Sequence, residues 1–343
     1  MKHNEEFADF LRGHVNLNQG RIEELDQHVK AVTSYLRNNL TGFRRVEYQG
    51  SRALGTIIQP VKDRHEFDAD LLVIVDKDGD DPKPYMDGLW DTLKDSDRYK
   101  EKIELWNRCV KVKYQGQCHL DTVPCVEDDG KQYVCPRNDD DLEETDGTGF
   151  RDWFNDQNRI TKGNLKRTVR LLKFLRDHKG NFSVPSVILT ALAGEAIQEK
   201  DADGEEVSTM ADTVATVLTR IDERLEKCDQ IPVIANPANP DLTFNTHWED
   251  NQYQNFRHLM GVYANTARQA RDETDKAKSI AAWQKLFGES FGKGGGSGSG
   301  SGGSSAGSGG NRTGPRSRPS APAVAPAASI PVARRRNEAG GIG

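Results

Sequence analysis

Three aspartates carry the chemistry this sequence advertises. Asp68 and Asp70 stand two apart in Glu66-Phe-Asp-Ala-Asp-Leu-Leu-Val-Ile-Val75. Alternation along a strand sends both side chains to one face. Two carboxylates side by side repel each other unless a cation neutralises them. Asp121 follows in Gln117-Cys-His-Leu-Asp-Thr-Val-Pro124, again on an expected strand. If the two strands are neighbours, three carboxylates converge, and hard oxygen ligands suit Mg2+ or Mn2+. Upstream lies Gly50-Ser51. A glycine lets the backbone approach an anion closely, and the following amides with the Ser51 hydroxyl can cradle phosphates. The set suits transfer at a phosphorus atom. One ion lowers the pKa of an attacking hydroxyl and a second, about 3.5–4 Å away, steadies the leaving oxygens. A lone Asp-x-Asp pair would signify only a solvated strand end. Here it opens an apolar strand, follows Gly-Ser and precedes a third strand-borne aspartate.

The elements that must position these residues follow from periodicity. Ile22, Leu25, Val29, Val32 and Leu36 recur at three- and four-residue steps, which predicts a helix over 19–40. A strand runs to Gln49, then a short turn-helix. Residues 66–75 read as a strand with a buried apolar end and 84–97 as a helix. Strands are expected near 103–114, 118–126 and 131–135, the last two joined by the Asp129-Gly130 hairpin signal. An acidic loop spans 138–149. From Asn164 the pattern turns helical: Leu165, Val169, Leu172 and Leu175 share a face, Pro185 opens a further helix, and 208–227 and 248–287 add more. Residues 231–240 between them are irregular and proline-bearing. The expected fold is α+β and two-lobed. A mixed-sheet catalytic lobe with N-terminal helices covers 1–163, an all-helical lobe covers 164–290, and a disordered Gly/Ser then Pro/Ala/Arg tail covers 291–343.

Charge narrows the substrate. The chain of 343 residues carries a net charge of −6. Residues 293–343 hold seven basic side chains against Glu338 alone, which leaves 40 basic and 52 acidic in 1–292. An acidic body lacks the clustered Lys and Arg that duplex binding requires, so DNA activation is not expected. No apolar run reaches the roughly eighteen residues of a membrane span, and Met1 to Glu6 hold no secretory h-region; a cytoplasmic protein without a membrane partner is expected. The five cysteines form no disulfide framework. A zinc site from Cys118, His119, Cys125 and Cys135 has no CxxC pair, and strand alternation would split its ligands between faces. The cysteines read as small buried hydrophobes. No GxxxxGK[ST] occurs, which excludes a P-loop enzyme.

Tyr48-Gln-Gly-Ser-Arg-Ala-Leu-Gly-Thr56, Asp68-x-Asp70 and Leu120-Asp-Thr-Val-Pro124 resemble the polymerase β-like nucleotidyltransferases. They are most similar to the branch with oligoadenylate synthases, cyclic GMP-AMP synthase and the bacterial CD-NTases. Tyr133-Val-Cys-Pro-Arg137 with Trp153, and Asn236-Pro-Ala-Asn-Pro240 with Trp248, extend the resemblance over about residues 20–287. It implies that Asp68, Asp70 and Asp121 are catalytic and hold Mg2+ or Mn2+, and that Gly50, Ser51, Lys173 and Ser186 bind the triphosphate. Read from the residues alone, Lys173 interrupts an apolar stretch and needs an anion or water, or else snorkels to the surface. Ser186 alternatively caps a helix start, and Arg170 and Arg176 read as solvated neighbours. The resemblance further implies ATP or other nucleoside triphosphates as substrates, a cyclic di- or trinucleotide messenger for a downstream effector, and anti-phage (CBASS) defence. A linear-oligonucleotide or RNA-tailing enzyme and a catalytically silent scaffold are the alternatives. The arm ending Ala-Gly-Gly-Ile-Gly343 resembles substrates of E1/E2-like conjugation; a basic linker is the other reading.

Overall fold

The computed structural model describes residues 1–62, 66–115, 118–245 and 248–293, with the backbone of 334 and 335. The Gly/Ser tail and Gly343 lie outside the described residues.

Asn18 caps α2 (Gln19–Asn39) by accepting from Arg21 N at 2.8 Å. It follows α1 (Asn4–Phe10) and a π-helical turn, Leu11–Val15. The sheet begins with β1 (Phe43–Gln49), runs through α3 (Gly50–Leu54) to β2 (Phe67–Val75), and is covered by α4 (Lys83–Lys94). The expected strand over 103–114 is two, β3 (Ile103–Leu105) and β4 (Val110–Tyr114). The chain reverses between them, with Trp106 N bonded to Cys109 O at 2.9 Å. β5 (Cys118–Asp128) and β6 (Lys131–Val134) form the expected hairpin, with positive φ at both Asp129 and Gly130. The acidic loop holds a short strand, β7 (Glu143–Thr145), before α5 (Gly147–Ile160).

The strand order is β1-β2-β5-β4-β3, with β6 on β5 and β7 on β6. Among the described residues only β2 and β5 pair in parallel. Long β5 pairs with β4 at its start and β6 at its end, and Pro124, which has no N–H to donate, sits at the change of partner. Phe67, Ala69, Leu71 and Val73 turn one face of β2 onto Leu25, Val29, Val32 and Leu36 of α2 and Met86, Leu89 and Leu93 of α4. The opposite face carries Asp68 and Asp70.

The helical lobe consists of α6 (Asn164–Lys179), α7 (Ser186–Glu195), α8 (Met210–Leu225), α9 (Asp250–Asp272) and α10 (Lys276–Phe287). A 3-10 turn, Glu199–Ala202, follows α7. The irregular stretch after α8 contains β8 (Ala235–Asn236) and β9 (Asn239–Thr243), and the backbone of Arg334–Arg335 pairs with β9 as β10. The core does not divide as the sequence order does. Phe7 and Phe10 of α1 and Phe150 and Phe154 of α5 belong to the helical cluster, although both helices lie within 1–163. Phe7 packs edge-on against Trp283 and Phe291, its ring centroid 5.1 and 4.9 Å from theirs.

Candidate active site

Register brings the carboxylates together. Asp70 on β2 lies opposite Asp121 on parallel β5, and Asp68 lies opposite His119. Residues in register share a face, so the four side chains stand as a patch. Across β4, Lys111 faces Asp121 in register, its Nζ 3.2 Å from Asp121 Oδ1. Asp121 is 1% exposed, and burial raises its pKa. Asp70 is held well above the usual carboxylate range, first by burial and then by Asp68 and Asp121. Like charges crowded in this way call for a cation.

Gly50 begins α3 directly against Asp70. Its φ is 56°, and a Cβ there would collide with the Asp70 carboxylate. Glycine is therefore required both by backbone conformation and by space. Ser51 follows at the cavity wall. Asp26 of α2 fastens this corner. It accepts from Arg52 Nη2 at 2.8 Å and from Tyr48 O–H at 2.9 Å, and Arg52 holds its pKa below the ordinary value.

The helical lobe supplies the opposing wall. Lys173 is 5% exposed, which rules out a snorkelling surface lysine; its Nζ donates to Thr56 O at 3.3 Å. Burial and then Arg176 push its pKa down to about 8, against the pull of Asp68 and Asp70. Ser186 starts α7 but caps no backbone amide: its Oγ accepts from Arg176 Nη1 at 3.0 Å. Arg176 is not simply solvated either, since it also binds Val184 O and Asp177. Asn236, from the Asn-Pro stretch, is buried and donates to Asp146 O at 3.0 Å, tying this lobe to the start of α5. Between the walls lies a cavity of about 910 Å³ bordered by Gly50, Ser51, Asp68, Asp70, Lys173 and Ser186. That volume suits nucleotide-sized ligands.

His119 is the residue the sequence reading missed as a partner of the aspartates. Its Nδ1 lies 2.8 Å from Glu66 Oε2, and its Nε2 lies 3.8 Å from both Asp68 Oδ2 and Asp121 Oδ1. Among the described residues Nε2 has no hydrogen-bond partner. With Nδ1–H given to Glu66, the Nε2 lone pair faces two carboxylates, an arrangement a metal ion relieves. Asp68, His119 and Asp121 offer ligand atoms all within 4.8 Å of one another, a fitting donor set for a divalent cation. The signal was present in the i, i+2 spacing of His119 and Asp121. The four-residue zinc alternative does not assemble: Cys118 faces the opposite core, and burial pushes the Cys118 and Cys125 thiols up to about 12.

Residues 1–158 match the family described as the Second Messenger Oligonucleotide or Dinucleotide Synthetase domain. The chain is 24% identical over 300 residues to a c-di-GMP synthase of Roseivirga ehrenbergii, covering 75% of this chain and 76% of that enzyme. It is 24% identical over 230 residues to a cyclic AMP-AMP-AMP synthase of an Acinetobacter strain, covering 64% of each. The fold matches the structure of E. coli MS115-1 CdnC with ATP at a TM-score of 0.67 and 16% identity, over 85% of this chain and 99% of that one. Matched domain, synthase relatives and shared fold make the chain similar to the bacterial CD-NTases, nucleotidyltransferases that make cyclic oligonucleotides.

Proposed function

We propose that the chain condenses ATP or other nucleoside triphosphates into a cyclic di- or trinucleotide, releasing pyrophosphate at each bond. The observation that carries this reading is the register of Asp70 against Asp121, with Asp68 two residues away and Gly50 closed onto Asp70. Asp68, Asp70 and Asp121 would hold Mg2+ or Mn2+, with His119 Nε2 as a further donor. Such ions supply acidification of the attacking sugar hydroxyl and charge neutralisation at the leaving pyrophosphate. The protein's own groups do the rest. The Ser51 hydroxyl and neighbouring amides bind the outer phosphates, which Gly50 allows to come close. Lys173 gives its ammonium to the same triphosphate, and the anion offsets the burial that otherwise lowers its pKa. Ser186, held by Arg176, orients the polyphosphate from the helical wall. Asp121 would help to take the hydroxyl proton. The cavity between the lobes accommodates donor and acceptor nucleotides in succession, and the first product's triphosphate must re-enter the same site for the ring to close.

The acidic body supports small triphosphates over a polynucleotide substrate. The resemblance to CD-NTases supports a cytoplasmic messenger role in anti-phage defence, with a cyclic-nucleotide effector downstream.

The test is incubation with all four ribonucleoside triphosphates and Mg2+ or Mn2+, followed by phosphatase and mass spectrometry. A phosphatase-resistant species with the mass of a ring, lost in EDTA, is the expected result. Linear products alone would transfer the assignment to an oligoadenylate-type enzyme.

A further inference from the structure

A second cavity, of about 560 Å³, lies where the N-terminal segment meets the first turns of α6 and α8. None of the residues bordering it also borders the larger cavity. Two arginines of α6, Arg167 and Arg170, reach it from positions three apart, which lie on one side of a helix. Their partners are uncharged. Arg167 Nη1 bonds Asn164 Oδ1 at 3.2 Å; Arg170 Nη1 bonds Asn16 Oδ1 at 2.6 Å and its Nε bonds Lys166 O at 3.4 Å. Among the described residues neither arginine has a carboxylate at ion-pair distance. In the same lobe Arg176, Arg220, Arg257 and Arg271 are each paired with an aspartate, while Arg268, outside the cavity, bonds an asparagine. Asp212, in the first turn of α8, is engaged by the Ser208 and Thr209 hydroxyls.

Two guanidiniums sharing a cavity without an anion repel each other. Burial and Arg167 together lower the Arg170 pKa, and Arg170 in turn helps lower that of Lys166. In a body with twelve more acidic than basic side chains, these two guanidiniums share one cavity without a carboxylate, and an incoming anion would relieve their repulsion. The Thr209-capped N-terminus of the 16-residue helix α8 adds favourable polarity for negative charge. Ala8, Leu11 and Met210 add apolar lining to the cavity.

The same region touches the larger cavity through the backbone. Asn16, which holds Arg170, forms an antiparallel bridge with Ile58, and Gln59 N bonds Val15 O at 2.9 Å. Ile58 and Gln59 border the larger cavity. A π-helical turn, a form frequent at functional sites, leads into Asn16.

We propose that the second cavity binds a small phosphate-bearing molecule of nucleotide size, with its anionic group on Arg167 and Arg170, and that occupancy is transmitted to residues 58–59 through Asn16. This goes beyond the synthetic activity and does not depend on it. The test uses the full chain in EDTA, which silences metal-dependent binding in the larger cavity. Inorganic pyrophosphate, GMP and guanosine are each titrated calorimetrically. Pyrophosphate alone binding identifies an inorganic anion as the ligand; GMP binding more tightly than pyrophosphate identifies a nucleotide. Guanosine should not bind. Arg167→Gln/Arg170→Gln should weaken the anion at least tenfold, and Lys173→Ala should leave it unchanged. Arg167→Glu, at an exposed position, gives the same readout if the double variant melts early. Absence of saturable anion binding, binding indifferent to both arginine variants, or binding lost with Lys173→Ala would overturn the site. Saturating pyrophosphate should slow amide exchange at 56–60 in the wild type and not in the double variant; unchanged exchange would overturn the transmission.

Discussion

Asp70 is a carboxylate whose place in the fold costs stability. Burial and the charges of Asp68 and Asp121 raise its pKa, so between the ordinary aspartate value and that raised value the folded chain binds a proton the unfolded chain has released. Stability from this group falls as pH rises through that window. Asp70→Asn should therefore melt higher than the metal-free wild type near neutral pH, by about 1 kcal/mol or more, while abolishing synthesis. Added Mn2+ should raise the melting temperature of the wild type and leave the variant nearly unmoved; a variant that melts lower would make the carboxylate structural. Lys173 has the opposite dependence. Its folded pKa is about 8 against 10.5 for the free side chain, so between those values the unfolded chain holds the extra proton. Stability from Lys173 rises with pH across that window, and wild type minus Lys173→Met, compared by denaturation from pH 7.5 to 10.5, should show that slope. For His119, Mn2+ bound to the full chain should show imidazole nitrogen coupling in pulsed electron paramagnetic resonance, lost in His119→Gln. No coupling in the wild type would mean that His119 is not a ligand of the ion.

At the scale of elements, the corner from β1 into α3 decides whether the site closes. Tyr48 and Arg52, on either side of Gly50-Ser51, both bind Asp26 of α2, so the backbone proposed to face the phosphates is anchored from behind. Gly50→Ala places a methyl group into the Asp70 carboxylate and forces a left-handed φ on alanine. The backbone penalty alone is about 1–2 kcal/mol. Synthesis should fall at least a hundredfold while far-UV circular dichroism stays native; near-wild-type rates would show that the close approach of Gly50 is dispensable. The short α1 illustrates the converse dependence. Seven residues are too few for a stable isolated helix. It is held by the ring cluster of Phe7, Phe10, Trp283, Phe287 and Phe291, which joins the two ends of the described chain.

At the scale of the whole molecule, charge and lobes divide the tasks. The acidic body would repel a polyanion, yet two cavities among the described residues gather cations, Lys111, Lys173 and Arg176 in one and Arg167 and Arg170 in the other. Such local fields draw small phosphates without inviting duplexes. Among the described residues no helix is long and apolar enough to cross a membrane. Deleting 294–343 should leave the rate of synthesis in vitro within about twofold, because among the described residues the buried core ends at Phe291. A dead truncation would assign the backbone pairing of Arg334–Arg335 with β9, beside the cavity residue Phe244, a part in the active enzyme.

The sequence by itself determined what is local. Alternation placed Asp68 and Asp70 on one face, three- and four-residue periodicity marked α2 and α6, and Asp129-Gly130 marked a two-residue hairpin, because these depend only on neighbours along the chain. Periodicity also ran past short breaks: it merged β3 with β4 and α9 with α10, where a few turn residues reverse or interrupt the chain. Asp121 was legible as a strand-borne acid, but its place beside Asp70 required the parallel register of β2 and β5, which the two packed faces of the sheet fix together. His119 beside Asp68, Lys173 against Thr56 and the pairing of Ser186 with Arg176 likewise join residues distant in sequence. So does the docking of α1 into the helical lobe, which no boundary drawn along the chain anticipates. Tertiary structure decided these because burial and register are properties of the whole packed chain. A side chain's type states what it can bind, and only the packing states what it faces.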